Sequence, residues 1–209
     1  MFDFHAHLGN KLSNDLFIAS TNINEYDDVK SYKYHSYGLL NTSNYNDLNI
    51  FKNSVINDNN CFIGEVGLDK RLSYTINDKI LSTSLALAAD MNKVIIFHIV
   101  RMYDVFFKEL KKYRLNVPFI VHGFTASEEI AKEIYKHGGY ISLNTRCENT
   151  KDFKDLLNYP FLLETDLKDD ENRLINLSIW YEKIANYTNM DKNELERIMN
   201  ERRTIFKNI

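Results

Sequence analysis

Eight short apolar segments recur along the chain, and most are apolar almost throughout rather than alternating with polar residues. This pattern is typical of parallel strands that are covered on both faces. We predict strands over residues 2–8, 15–21, 33–39, 61–68, 94–100, 118–123, 139–144 and 161–166. Between and after them, apolar residues at helical spacing predict helices over residues 77–91, 103–114, 127–137, 172–187 and 191–206.

This alternation of strands and helices predicts an α/β fold, a single (β/α)8 TIM-type barrel that spans residues 1–209. The connection between the second and third strands, about residues 22–32, is too short and polar for a full helix. We therefore expect a barrel that is trimmed at this connection. In the helix over 103–114, Val105, Phe106 and Leu110 are expected to face the core.

Imidazole and carboxylate side chains lie at or near the ends of five of these apolar segments, where a buried strand would not otherwise carry them. They are His5, His7, Glu65, His98, His122 and Asp166. Active sites of (β/α)8 barrels lie at the carboxyl ends of the strands, so the fold would bring all six together. Four imidazoles and two carboxylates predict a metal site, and we favour two metal ions.

The pair His5 and His7 is separated by one residue, so both side chains share a face of the first strand. Asp3 lies on that face one step deeper. We expect it either to hydrogen-bond a ligand imidazole or to be a buried polar residue.

Composition limits the function classes. The chain has 209 residues, with 44% hydrophobic and 26% charged residues, and two cysteines, Cys61 and Cys147. These values predict a globular protein of the reducing cytoplasm, without a secretion signal, a membrane span or a disulfide scaffold. Neither cysteine has an evident base partner, so we reject cysteine catalysis. The net charge of −3 disfavours a high-affinity electrostatic clamp on nucleic acid, but bound divalent cations could supply positive charge locally.

Five motifs occur in an order that resembles the TatD family of metal-dependent hydrolases, in the amidohydrolase-like barrel superfamily. They are FDFHAHLG at the amino terminus, GEVGLD at 64–69, VIIFH at 94–98, FIVHGFTAS at 119–127 and LLETD at 162–166. The resemblance runs from residue 1 to about residue 206. It implies that the chain is a TatD-like deoxyribonuclease and a short, divergent member of that family.

The resemblance also implies roles for the six side chains. His5 and His7 match the paired ligands of a first metal ion, His98 and His122 match ligands of a second, and Glu65 matches the carboxylate that bridges them. Asp166 matches the aspartate that binds the first metal and accepts the proton of the attacking water. We predict two divalent ions, Zn, Mn or Fe in preference to Mg because the site is rich in histidine.

Candidate substrate-binding residues are Arg101, Glu164 and Phe124. Arg101 begins the helix after His98 and could clamp a phosphate, or it could form a surface ion pair. Glu164 shares a strand face with Asp166 and could orient it or contact substrate. Phe124 could stack on a base or sugar at the pocket mouth, although core packing is the favoured alternative. We interpret Lys168 as a solvated loop lysine. We interpret His35 as an ordinary strand or surface histidine.

The residues alone predict metal-assisted hydrolysis, and the resemblance adds phosphodiester hydrolysis of nucleic acid, with DNA favoured over RNA. A hydrolase of an amide, a lactone or a phosphomonoester is the enzyme alternative, because this superfamily reuses one metal site for many bonds. A non-catalytic metal-binding subunit of a larger complex is the other alternative. The residues do not indicate whether partner proteins of a repair or defence cluster exist.

Overall fold

The computed structural model describes residues 1–11, 13–40, 42–72 and 76–206. Eight parallel strands follow one another around the sheet in the order of the chain, so each strand pairs with the next. The strands are β1 Asp3–His7, β2 Leu16–Ala19, β3 His35–Tyr37, β4 Phe62–Asp69, β5 Ile95–Val100, β6 Phe119–Val121, β7 Gly139–Leu143 and β8 Leu162–Leu163.

Helices connect and cover these strands. They are α1 Tyr26–Val29, α2 Tyr45–Asn57, α3 Asn77–Met91, α4 Tyr103–Leu110, α5 Glu128–Lys136, α6 Phe153–Leu156, α7 Glu171–Thr188 and α8 Lys192–Ile205. Two short 3-10 turns, Ile23–Glu25 and Thr145–Asn149, precede α1 and α6. None of the helices in the described residues is both long enough and apolar enough to cross a lipid bilayer.

The barrel closes where the chain after β8 returns to β1. His7 forms a parallel bridge with Lys168, and the His7 amide donates to the Leu167 carbonyl at 2.8 Å. The Asp166 amide donates to the His5 carbonyl at 3.0 Å. These bonds confirm the predicted (β/α)8 barrel, and they also place Asp166 beside both histidines of β1.

Both faces of the sheet are covered, as the apolar segments predicted. Every residue of β2, β3, β4 and β6 is buried. The carboxyl-terminal residue Phe206 of the described chain packs edge-on against Phe4 and Phe17, with ring centroids 6.1 and 6.2 Å apart. This contact fixes α8 against the first two strands.

The β2–β3 connection is trimmed, as predicted. It contains only the 3-10 turn and the four-residue helix α1. Helix α2 was missed by the sequence analysis, because only Phe51 and Val55 of its 13 residues are buried and its sequence is rich in asparagine. An exposed helix of this kind has a weak apolar stripe. Its start is nevertheless capped by Asn44, whose side chain accepts from the Asn46 amide.

Two boundaries differ from the prediction by three residues or more. Strand β8 ends at Leu163 rather than at 166, since Asp166 adopts a left-handed φ of 59° that cannot continue a strand. Helix α4 ends at Leu110 rather than at 114, and it buries Phe106, Phe107 and Leu110. Val105, expected in the core, is 36% exposed, and Phe107 is buried with Phe106 and Leu110 instead.

Candidate metal centre

All six predicted ligand side chains meet at the carboxyl end of the barrel. Three groups of them bring one ligand atom each to within 4.8 Å of the others. The groups are His5, His7 and Glu65; His5, His122 and Asp166; and Glu65, His98 and His122. The barrel therefore collects the side chains that the sequence analysis selected, and each of the three groups can hold a cation.

Glu65 lies at the centre of this cluster and turns its two carboxylate oxygens in different directions. Oε2 lies 3.4 Å from His5 Nε2 and 3.7 Å from His7 Nε2. Oε1 lies 2.7 Å from His98 Nδ1 and 2.9 Å from His122 Nε2. One carboxylate thus faces two separate pairs of imidazoles.

The orientation of Glu65 depends on an irregularity within β4. The register between β4 and β5 shifts between Ile63 and Val66, which is the segment that carries Glu65. Such bulges re-aim a side chain locally. Glu65 consequently points into the barrel four residues before β4 ends, deeper than the predicted position near the end of the strand.

Asp166 completes the group around the first histidine pair. Its Oδ1 lies 3.0 Å from His7 Nε2 and 3.6 Å from His5 Nε2. The left-handed backbone of Asp166 and the hydrogen bond from its amide to the His5 carbonyl hold the carboxylate over β1. The residue lies outside any strand, yet its position is fixed by the closure of the barrel.

The spacing of the ligand atoms fits a small divalent cation. A tetrahedral ion with metal–ligand bonds of ~2.0–2.1 Å needs ligand atoms about 3.3 Å apart. Around the first pair, the distances from histidine nitrogen to carboxylate oxygen run from 3.0 to 3.7 Å. Around the second pair, the two nitrogens lie 3.1 Å apart. The donor atoms are therefore already arranged at nearly the separation that coordination requires.

Several of these atoms have no hydrogen-bond partner within the described chain. They are both ring nitrogens of His5 and Nδ1 of His122. The two rings are buried and stacked on each other, with centroids 3.9 Å apart. Buried polar atoms without partners are costly and rare in native proteins. A cation ligated by His5 Nε2 would remove part of this cost. The unpartnered nitrogens are therefore what we expect at a metal site.

The pKa values of the cluster follow from burial and from the opposite charges packed together. Burial lowers the pKa of His5, and the neighbouring His122 lowers it further. Burial opposes ionisation of Glu65 and His122 as well, but their mutual attraction dominates. It holds the pKa of Glu65 well below its usual value and raises the pKa of His122 well above it. Glu65 is therefore a carboxylate at neutral pH and is ready to ligate.

A second carboxylate supports the second histidine pair, and the sequence analysis missed it. Asp69 Oδ2 lies 3.0 Å from His98 Nε2, on the opposite side of the ring from Glu65. Arg71 donates through Nε to both oxygens of Asp69, at 2.9 and 3.0 Å, and lowers the pKa of that carboxyl. Asp69 thus directs Nδ1 of His98 toward Glu65. The available signal was its place within the motif GEVGLD.

Glu164 lies deeper than the predicted ligands. It is fully buried, and its Oε1 accepts from the Gly123 amide at 2.8 Å and from Asn144 Nδ2 at 2.9 Å. The same oxygen lies 3.7 Å from His122 Nδ1, and His122 lowers the pKa of Glu164 despite burial. Glu164 makes no hydrogen bond to Asp166, so it positions the His122 loop rather than Asp166.

Arg146 also lies at this site and was not selected from the sequence. It belongs to the 3-10 turn after β7, and its Nη2 contacts Asp166 Oδ2. A surface loop arginine gives no signal in a single sequence, because only the folded chain brings residues 146 and 166 together.

One expectation is wrong, and two open alternatives are decided: Asp3 is a buried polar residue, and His35 is an ordinary strand histidine. Phe124 is fully buried and packs edge-on against Tyr103, so its expected position at the pocket mouth is wrong. The chain turns at Gly123, with a φ of 57°, and sends the next side chain into the core. Asp3 does not contact a ligand imidazole; it accepts from Thr165 and Arg173. His35 is buried and pairs with Asp58 at 2.9 Å, away from the centre.

The remaining candidates lie at the surface. Arg101 is exposed, with a left-handed φ of 57°, and forms no ion pair with any residue that the structure describes. Lys168 is exposed beside β1, where its backbone takes part in the closure of the barrel. The substrate role of Arg101 stays a prediction, and the exposure of Lys168 fits its interpretation as a solvated loop lysine.

Comparison with known proteins decides the family. The model of a family described as TatD-related DNase matches residues 34–206. The chain belongs to the TatD-related DNase family. The resemblance inferred from the five motifs is confirmed. The matched region begins after β1, so it leaves His5 and His7 to be judged on geometry alone.

An uncharacterised metal-dependent hydrolase from Methanocaldococcus jannaschii is 30% identical to the chain over 148 residues. The aligned part covers 66% of this chain and 58% of that protein, so the match spans less than two thirds of the archaeal protein's length. Its name and the three ligand clusters both support the use of metal by this TatD-family chain.

Two solved structures share the fold. YJJV, a TatD homologue from Escherichia coli K12, superimposes with a TM-score of 0.84 and 18% identity, covering 100% of this chain and 98% of that one. A TatD-family hydrolase from Entamoeba histolytica gives 0.75 and 15%, covering 99% and 97%. At these identities the likeness concerns the barrel itself.

Proposed function

We propose that this TatD-family protein is a divalent-metal-dependent hydrolase that cleaves phosphodiester bonds of nucleic acid, DNA in preference to RNA. The observation that carries the proposal is the central position of Glu65. One of its oxygens faces His5 and His7, and the other faces His98 and His122. A carboxylate that faces two separate imidazole pairs is the arrangement needed to hold two cations side by side.

Five of the ligand side chains would divide between two ions. His5, His7 and Asp166 would hold the first, and His98 and His122 the second, with Glu65 shared. The richness in imidazole favours Zn²⁺, Mn²⁺ or Fe²⁺ over Mg²⁺. When bound, such ions lower the pKa of water toward 7 and neutralise charge on a phosphoryl oxygen.

The protein groups around this site supply positioning and proton acceptance. Burial opposes ionisation of Asp166, but the hydrogen bond with His7 dominates and lowers its pKa, so it is a carboxylate at neutral pH. It is only partly exposed, and it faces the histidines with one oxygen and the mouth of the barrel with the other. Its position within the ligand cluster and the family resemblance support the predicted role of accepting the proton of an attacking water.

Membership of the TatD-related DNase family supports a nucleic acid substrate. The overall charge of −3 does not attract DNA, so positive charge must come from the site itself. Two divalent ions at the mouth of the barrel would supply it. This charge distribution favours a polyanion that is recognised at the metal centre over one that is held by an extended basic surface.

The test is release of nucleotides from a 3′-labelled single strand of DNA with added Mn²⁺. Wild type is compared with Glu65→Ala and with Asp58→Asn. The second variant removes the carboxylate that pairs with His35, outside the metal centre. We expect release by wild type and by Asp58→Asn, and none by Glu65→Ala. An active Glu65→Ala protein would contradict the two-metal site. If the protein binds metal but hydrolyses neither DNA, nor RNA, nor a synthetic phosphodiester, its substrate must contain another kind of hydrolysable bond.

A further inference from the structure

We propose that Arg146 is the residue that binds the anionic group of the substrate, and that it gives the enzyme its preference for charged phosphodiesters. The proposal rests on the proposed function and names a specificity-determining residue for it. The 3-10 turn Thr145–Asn149 carries Arg146 to the mouth of the barrel. Asn144 fixes the turn, because its Oδ1 accepts from the Arg146 amide at 3.0 Å.

The guanidinium lies directly over the metal centre. Its Nη2 contacts Asp166 Oδ2, which is the oxygen turned away from His7. The same atom lies close to Gly123, where an added Cβ would be 3.0 Å from Nη2, so the guanidinium rests against the backbone next to His122. Arg146 therefore lies between Asp166 and the residue that follows His122.

The existing contacts leave donors of Arg146 free for an anion. Nε lies 3.3 Å from Asn144 Oδ1, and Nη1 makes no hydrogen bond to any residue in the described ranges. The side chain is 60% exposed. A guanidinium has five donors in a planar fork that matches two oxygens of a phosphate. Arg146 can thus keep Asp166 in place and still bind a substrate oxygen.

Other arginines at this end of the barrel are less suited to the role. Arg71 directs Nε to both oxygens of Asp69, and its backbone amide donates to Asp69 Oδ1 at 2.8 Å. Its fork is therefore already occupied. Arg101 is exposed without an ion pair in the described residues, and nothing aims it at the ligands.

Charge at the mouth gives the physical reason for such a residue. The Asp166 carboxylate turns its outward oxygen to the partly exposed mouth, where it would repel an approaching phosphate if it stood alone. Arg146 neutralises that oxygen and adds a positive charge on the solvent side. A neutral ester needs neither effect, and this difference separates substrate binding from mere positioning of Asp166.

The experiment measures KM and kcat of the Mn²⁺-loaded protein with bis(p-nitrophenyl) phosphate, an anionic diester, and p-nitrophenyl acetate, a neutral ester. Arg146→Ala should raise KM for the diester about tenfold or more, the usual effect of losing a charge-assisted hydrogen bond, and leave the acetate nearly unchanged. Arg146→Lys should restore part of the loss, because the charge returns without the fork. Arg114→Ala, an exposed arginine just before β6 at the opposite end of the barrel, is the matched control.

An unchanged KM for the diester in Arg146→Ala would overturn the proposal. An equal fall in kcat for both esters would also overturn it, since Arg146 would then act only through Asp166. Binding of a fluorescent oligothymidylate to the Mn²⁺-loaded protein decides the case independently of turnover. If wild type hydrolyses neither ester and cleaves neither DNA nor RNA, the proposed function fails, but weaker binding by Arg146→Ala than by wild type would still support the anion site. Equal binding, or none by wild type, would refute it.

Discussion

Two clusters of charged and polar side chains lie near β1, and they differ in how their atoms are satisfied. At the metal centre, buried nitrogens of His5 and His122 have no hydrogen-bond partner in the described chain. Beside Asp3, at the start of β1, the fully buried Arg173 of α7 donates to Asp169 at 3.0 Å, to Asp3 at 3.2 Å and to Asp15 at 3.1 Å. Each of its three nitrogens has a carboxylate.

The Arg173 cluster ties the closure of the barrel together. Asp3 belongs to β1 and accepts from Thr165 Oγ1 at 2.6 Å, while Asp169 follows β8 and accepts from Ser13 Oγ at 2.8 Å. The arginine itself comes from α7. One satisfied network thus joins the first strand, the segment after the last strand and a covering helix, and it holds the backbone from which His5, His7 and Asp166 project.

This difference separates residues that the fold needs from residues that the chemistry needs. A satisfied buried network contributes to folding as it stands, whereas the metal centre leaves hydrogen-bonding capacity unused until a ligand arrives. Mutation of the Arg173 cluster should therefore lower the stability of the fold. Added metal should raise stability through the metal centre only.

The largest expected effect is the loss of Arg173. Arg173→Met should lower the free energy of unfolding by about 3–5 kcal/mol, because it leaves buried carboxylates without a cation. Urea denaturation followed by circular dichroism measures the change. Arg114→Met, at an exposed arginine, should not move the midpoint. Equal stability of the two variants would show that the Arg173 network contributes nothing to the fold.

Addition of metal is expected to have the next largest effect, and only at the other cluster. With free Mn²⁺ at 100 times its Kd, the folded state should gain ~2.7 kcal/mol by mass action. Melting temperatures with and without Mn²⁺ should therefore differ for wild type and much less for Glu65→Ala. A similar shift in both proteins would place the stabilising ion somewhere other than the Glu65 centre.

The sequence could select the six ligand side chains because their types are unusual at strand ends, and the barrel alone brings those ends together. It could not select Asp69, Arg146 or Arg173. Their roles depend on contacts between connections, and an acidic or basic residue in a loop is ordinary in any soluble protein.

The errors also have physical causes. Phe124 follows His122 by two positions, and strand periodicity would keep the two on one face, but the left-handed turn at Gly123 breaks that periodicity. Helix α2 went unseen because its polar surface gives little periodic signal. In both cases a local backbone feature or weak burial decided the outcome, while the long, strongly apolar segments were placed correctly.

Replacement of Asp69 should weaken metal binding without unfolding the protein. Asp69→Asn no longer fixes the ring of His98, so affinity for metal should fall about 10- to 100-fold, as for other residues that orient a ligand histidine. Competition with a chromophoric chelator measures the affinity. Asp58→Asn offers a matched control, because it also removes a carboxylate that pairs with a histidine, His35, but should leave metal affinity unchanged. Equal losses in the two variants would mean that Asp69 does not act through His98.

The smallest expected effect is a pH dependence within the Arg173 network. Three carboxylates face one guanidinium, and burial raises the pKa of Asp3 to about 6 even though Thr165 and Arg173 favour its ionised form. A carboxyl whose pKa is higher in the folded state than its unfolded value of 3.8 binds protons more tightly when folded. Its contribution to stability is therefore complete below the unfolded pKa and is lost as pH rises from about 4 to about 6. Asp3→Asn removes this titration, so stability measured by urea denaturation should fall less steeply with pH over that interval in the variant than in wild type. Parallel profiles would show that Asp3 stays ionised in the folded protein, and that the buried arginine outweighs the cost of burying its charge.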